Sequence, residues 1–254
     1  MNNMASIDIN CDLGESFGQF SMGNDDAIFP YISSCNIACG FHGGDPLHME
    51  NTIKKAIYYD VQIGAHPSYP DLAGFGRRKI RLSSDELKAT IKYQIAALQG
   101  MVKSLGGELK YVKAHGALYN TIAHDKKEAE VFLKAVNEIN PSLAILGLAG
   151  SPFQEFTRKF GFKFIREGFL DRKYQEDGQL MSRKEEGSVL QSVEESIEQF
   201  QSIVKNGEAK TASGRKINLE VDSLCIHGDN PLAEDILKAI HQIENKISIK
   251  KLIL

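Results

Sequence analysis

Seven short, mostly apolar runs recur along the chain, each meeting a glycine, histidine or carboxylate and then a stretch of helical period. They are "SIDINCDLG", "SCNIACGFH", "VQIGAHP", "LKYVKAH", "SLAILGLAG", "FKFIREGF" and "SLCIHG". A strand that stays apolar on successive residues is buried on both faces, and its parallel neighbour is reached only through a crossover, usually a helix. The alternation therefore predicts an α/β fold whose parallel sheet is covered by helices. No interdomain linker interrupts the 254 residues. The expectation is a single (β/α) barrel domain over residues 1–254, with seven strands where the common barrel has eight. An open doubly wound sheet is the alternative.

The crossovers carry their own start and stop signals. Asp45 is placed to cap a helix whose first position is Pro46. Ser83 and Glu86 are spaced for a capping box ahead of the stripe Leu87, Ile91, Ile95, Leu98, Val102 and Leu105, which Gly106-Gly107 stops. "HDKKEAEVFLKAVNEIN" predicts a helix ended by Pro141, and Ser151-Pro152 opens another that Gly161 closes. "GSVLQSVEESIEQFQSIVKNG" predicts a helix stopping at Gly207, and "AKTASGRKINLEV" a hairpin turning at Ser213-Gly214. Asn230 is expected to cap the final helix, "NPLAEDILKAIHQIE". The stretches "FHGGDPLHMENTIKKAI" and "IHGDNPLAEDILKAI" echo each other faintly.

Composition narrows the function classes. Apolar content of 42%, charged content of 25% and a net charge of −3 are those of an ordinary globular protein without a nucleic-acid footprint. The start, "MNNMASIDIN", lacks the basic and apolar regions of a secretion signal, and no apolar run approaches the roughly 20 residues needed to cross a membrane. Cys11, Cys35, Cys39 and Cys225 form no CxxC and read as reduced, mostly buried thiols of a cytoplasmic protein. There is no G-x-x-x-x-G-K-[ST] phosphate loop and no H-E-x-x-H, and "GESFG" is not a nucleophile elbow.

In a barrel of this kind the loops after the strands line one mouth, where the chemistry sits. His42, His66, His115 and His227, four of the seven histidines, fall at such strand ends. Asp12 and Glu15 follow the first run, Asp171 the sixth and Asp229 the seventh. Imidazoles and carboxylates gathered there act as general acids and bases near neutral pH or hold a divalent metal, with Asp12, His42 and His66 the metal candidates. One strand-end histidine is commonly structural; four at equivalent junctions favour a shared site. Asp45 and Asn230 read as caps, and His48, His124 and His241 as loop or surface residues. Arg77 and Arg78 either bind an anionic substrate or cap their loop. Asp171 and Arg172 are either a structural ion pair or a carboxylate beside an anion-binding guanidinium. Asn36 and Tyr119 complete the substrate-binding candidates.

"INCDLGESFG", "CNIACGFHGGDP", "GAHPSYPDLAGFGRR", "VKAHGALYN", "REGFLDRKYQEDGQL" and "CIHGDNP" occur in this order between Asp8 and Pro231. Together they resemble the motif series of the LamB/YcsF family. The resemblance implies a non-classical barrel like that of the glycoside hydrolase/deacetylase group. It also implies ATP-dependent opening of the 5-oxo-L-proline ring to L-glutamate, within a 5-oxoprolinase whose subunits B and C are partners. Two departures stand out: Ala114 where relatives often have proline, and the stretch "LMSRKEEGSVL". The chemistry fits, because amide resonance protects a lactam carbonyl and phosphorylation of its oxygen supplies a leaving group. ATP is then a substrate, and a divalent metal such as magnesium would assist the phosphoryl or hydrolytic step. An ATP-independent, metal-dependent deacetylase or amidohydrolase and a non-catalytic sugar- or lactam-binding protein are the alternatives.

Overall fold

Each of the seven apolar runs forms a β-strand, and the seven close on themselves. The structure, a computed structural model, describes residues 5–243 and 247–252. Its elements run β1 (Ala5–Leu13), α1 (Asp25–Ile28), β2 (Ser34–Ala38), α2 (Pro46–Tyr58), β3 (Gln62–His66), α3 (Ser84–Ser104), β4 (Leu109–Lys113), α4 (Gly116–His124), α5 (Lys126–Ile139), β5 (Ala144–Leu148), α6 (Phe153–Lys159), β6 (Phe164–Phe169), α7 (Val193–Asn206), β7 (Glu208–Lys210), β8 (Lys216–Asn218), β9 (Ser223–His227), α8 (Ala233–Gln242) and β10 (Ile247–Ile249). The barrel order is β1-β2-β3-β4-β5-β6-β9, all parallel. It closes through β1 on β9, in register from Asp8 opposite Ser223 to Asp12 opposite His227. β10 pairs with the start of β1, and β7–β8 is the expected antiparallel hairpin.

The start signals act as read at two helices. Asp45 accepts hydrogen bonds from the backbone N–H groups of Leu47 and His48, and Ser83 with Glu86 forms the reciprocal capping box. Leu87, Ile91, Ile95, Leu98 and Val102 are buried along one face of α3; each such side chain contributes about 1.5–3 kcal/mol. Three details differ from the sequence reading. Helix α4 begins directly after His115, with no side-chain cap to announce it. Helix α7 starts at Val193, where Ser192 accepts from Glu195 N, and not at Gly187. Asn230 does not cap α8, whose N-cap position is Leu232. Its amide oxygen accepts from Leu232 N at 2.9 Å in the turn ahead of the helix, while its Nδ2 donates to Asp171 at 3.2 Å.

Two separate interiors result. The larger lies between the strands and the helices, built from residues such as Ile9, Ile37, Val112, Ile53, Ile95 and Phe132. Inside the barrel, Tyr111, Ala144, Leu146 and Ile165 form a small apolar group. Gly64 makes room for it, since a Cβ there would lie 2.2 Å from the Tyr111 ring. The rest of the lumen is polar. Lys113 on β4 reaches Asp12 on β1, which is possible only if both point inward from opposite walls. At the far end Asp8 accepts from the hydroxyls of Ser33, Ser34 and Ser223.

Candidate active site

The glycine-rich turn after β2 is shaped by the backbone it packs on. A Cβ on Gly43 would lie 2.7 Å from Glu15 O, and Gly44, at φ +77°, donates to the same carbonyl. This close approach carries His42 onto Glu15, with Nε2 3.1 Å from Oε1. A second loop, Asp71 to Arg78, folds over the histidines. Arg78 binds the Asp71 carboxylate, which also accepts from Gly74 N at 3.0 Å. Gly76 sits at φ +64° with its α-carbon so close that a Cβ would be 2.7 Å from His115 Cδ2. Arg78 thus ties down the loop, and Arg77 alone of the pair reaches the cavity.

Carbonyl acceptors set the tautomers of two histidines. His66 Nδ1 lies 2.9 Å from Lys113 O and His115 Nε2 lies 2.9 Å from Phe75 O, so each of these nitrogens donates. His66 Nε2 and His115 Nδ1, 2.9 Å apart, then face each other as lone pairs unless a proton or a cation lies between them. Asp12 Oδ2 is 3.3 Å from His66 Nε2 and Glu15 Oε1 is 3.5 Å from His115 Nδ1. Burial and the nearby Asp12 charge push Glu15 up to about 8, so it is largely a neutral acid at pH 7. Asp12 is driven the other way: burial opposes its charge, but His66 and Lys113 outweigh it and hold the carboxyl well below the ordinary range. Burial, with charged neighbours, keeps His42 and His115 well below the usual imidazole value.

Across the mouth, both oxygens of Asp171 lie 3.0 Å from His227 Nδ1. Burial opposes the Asp171 charge, yet His227 and Asn230 hold it at about 2. Asp171 therefore pairs with His227 and not with Arg172. The Arg172 guanidinium donates to the carbonyls of Met181 and Ser188, fastening the loop after β6. Arg77 pairs with Asp229 and lies over the Phe75 ring, 4.9 Å from its centroid.

A cavity of about 480 Å³ opens between these groups, lined by Asp12, His66, Arg77, His115, Tyr119, Phe169, Arg172 and His227 among others. That is the range of a small-molecule site. Of the residues singled out in the sequence, Glu15 and His42 stand behind the His66–His115 pair and Asp171 behind His227. Asn36 is fully buried beneath Asp12, donating to Asn10 and Asp12. Sequence reasoning passed over Lys113, which is 2.9 Å from Asp12 Oδ1 and 2.8 Å from Glu167 Oε1. A lysine ending an apolar strand was the signal available for it. Arg183, also on the cavity wall, was likewise missed.

Among the described residues two groups bring potential metal ligands together: Glu15, His42, His66 and His115, and separately Asp12, Cys225 and His227. Of the metal candidates Asp12, His42 and His66, the two histidines fall in the first group and Asp12 in the second. The first group could hold a metal ion. The second already has a cation, since Lys113 Nζ is 3.1 Å from Cys225 Sγ.

Known proteins share this architecture and sequence. The A subunit of 5-oxoprolinase from Bacillus thuringiensis subsp. konkukian (strain 97-27) is 46% identical over 249 residues, covering 97% of this chain and 98% of its own. The protein of the same name from Bacillus cytotoxicus is 46% identical over 239 residues, covering 94% of this chain and 95% of its own. The crystal structure of the lactam utilization protein from Thermus thermophilus superposes with a TM-score of 0.90 at 37% identity, covering 97% of this chain and 100% of the other. The LamB/YcsF family model matches residues 7–252, and with these likenesses it shows that the chain belongs to the LamB/YcsF family.

Proposed function

We propose that the chain acts as one barrel domain, residues 1–254, and is the ring-opening subunit of a cytoplasmic, ATP-dependent 5-oxoprolinase working with subunits B and C. The observation that carries this reading is near-full-length similarity to proteins named as the A subunit of 5-oxoprolinase, joined to a cavity rich in paired acids and bases. Phosphoryl transfer from ATP to the lactam oxygen makes the ring carbon electrophilic and releases ADP. Water adds at that carbon, and the C–N bond breaks with its electron pair going to nitrogen, which takes a proton. A second water hydrolyses the resulting acyl phosphate to L-glutamate and phosphate. Asp12, ionised and facing the cavity, is placed to take the proton from water. His227 has Nδ1 held by Asp171 and presents Nε2 to the cavity, from which the doubly protonated imidazolium would give its Nε2 proton to the departing nitrogen. Arg77 is placed for the substrate carboxylate. Tyr119, on the same wall, has its hydroxyl pushed up by burial and by Glu167, so it stays protonated and can donate.

A metal at the histidine group would be held by residues drawn from Glu15, His42, His66 and His115. Nitrogen donors suit zinc-like ions better than magnesium, which in this reading enters with ATP. Such an ion would polarise the substrate oxygen or a water.

The test is glutamate release from 5-oxoproline with ATP and magnesium, by the purified chain alone and with subunits B and C. Turnover is expected only from the mixture, and the full rate from the chain alone would refute the shared-subunit reading. Release without ATP would instead favour a metal-dependent amidohydrolase.

A further inference from the structure

We infer that Lys113 is a positioning residue that fixes both members of the Asp12–His66 pair, the ammonium through Asp12 Oδ1 and the backbone carbonyl through His66 Nδ1. The inference rests on the role proposed above for Asp12. Lys113 ends β4 with its side chain in the lumen and 3% exposed, and it does not line the cavity. Its Nζ is 2.9 Å from Asp12 Oδ1, 3.3 Å from Asn10 Oδ1 and 2.8 Å from Glu167 Oε1. Asn36 Nδ2 donates to the same Asp12 oxygen at 2.8 Å. Oδ1 is therefore occupied by an ammonium and an amide. Oδ2 is left as the oxygen that faces His66 Nε2 at 3.3 Å and the mouth. The carbonyl of the same lysine accepts from His66 Nδ1 at 2.9 Å, which turns His66 Nε2 toward Asp12 and His115. One residue thus makes the two oxygens of Asp12 inequivalent and presents one of them to substrate. Positioned groups of this kind matter because small displacements from a productive geometry cost large factors in rate.

A purely structural role would instead have Lys113 neutralise the buried Glu167. The two roles separate in the double variant Lys113→Met/Glu167→Gln, which removes one formal positive and one formal negative charge and leaves the net charge of the lumen unchanged. In the assembly with subunits B and C, the double variant should lose about 100-fold or more in kcat with KM within about threefold. Glu167→Gln alone, which keeps Lys113 on Asp12 but alters the partner of Tyr119, should retain at least about tenfold more kcat than the double variant. Urea unfolding reports whether each variant is folded. Recovery of near-wild-type kcat in the double variant would overturn the inference. If the double variant does not fold, Glu167→Gln decides, and a 100-fold loss there would overturn it. Silence of the wild-type assembly would remove the functional reading. The inference would then be judged from crystal structures of the same variants, where Asp12 unmoved in the double variant would refute it.

Discussion

Replacing Asp171 with asparagine removes the charge that orients His227 while keeping the side chain's size. In the folded protein the Asp171 carboxylate accepts from His227 Nδ1 with both oxygens at 3.0 Å, and from Asn230 Nδ2 at 3.2 Å. An asparagine offers one oxygen, so a donor meets a donor at one of these contacts. The magnitude follows from proton affinity. Asp171 titrates at about 2 against an ordinary 3.8, which corresponds to about 2 kcal/mol of stability at neutral pH. Because the folded value is the lower one, this stability is present above about pH 4 and is lost as pH falls toward 2. The variant carries no charge to lose. It should be about 2 kcal/mol less stable than wild type at pH 7, and the gap should shrink to about half by pH 3. Urea unfolding at pH 7, 5 and 3 measures this directly. In the same variant kcat for ring opening should fall about 10²–10⁴-fold, since His227 loses the partner that fixes its tautomer. Equal stability at pH 7, or a gap that does not change between pH 7 and 3, would refute the electrostatic reasoning. Unchanged kcat would remove His227 from the mechanism.

Other perturbations test other parts of the structure. Asp45→Ala should cost about 0.5–2 kcal/mol, read as a lower Tm, while the folded fraction keeps its activity at low temperature. Asp8 is buried and raised to about 6, so its own contribution to stability should fall by about 3 kcal/mol as pH rises from about 4 through 6. In urea unfolding at pH 4 and pH 7, the loss between the two should be about 3 kcal/mol smaller in Asp8→Asn than in wild type. Gly76→Ala places a Cβ 2.7 Å from His115 Cδ2 at a positive φ, and should cost about 1–3 kcal/mol. Its kcat should fall, because the loop must lift off His42 and His115 to admit the methyl group.

The strands, the crossovers and the strand-end histidines were legible in the sequence because their signals are local. Apolar runs stop at glycine or histidine, and caps such as Asp45 and Ser83 lie within three residues of the N–H groups they bind. From that alternation alone, His42, His66, His115 and His227 could be placed at one mouth before any partner was known. Helix α4 was not legible, because no capping side chain marks its start. Asn230 was misread for a related reason: its side chain accepts from the N–H two residues on, as a cap would, but the helix begins only after Leu232. The same holds for the inner arrangement. Asp12 meets Lys113 across 101 residues of chain, and His66 meets His115 across 49. Such pairs exist only once β1 closes on β9 and the lumen brings opposite walls within hydrogen-bond reach. Residue type and strand position decided which groups face the mouth. Closure of the barrel decided which of them touch, and with it that Asp12 stays ionised while Glu15 keeps its proton, because burial and neighbouring charge are properties of the folded site alone.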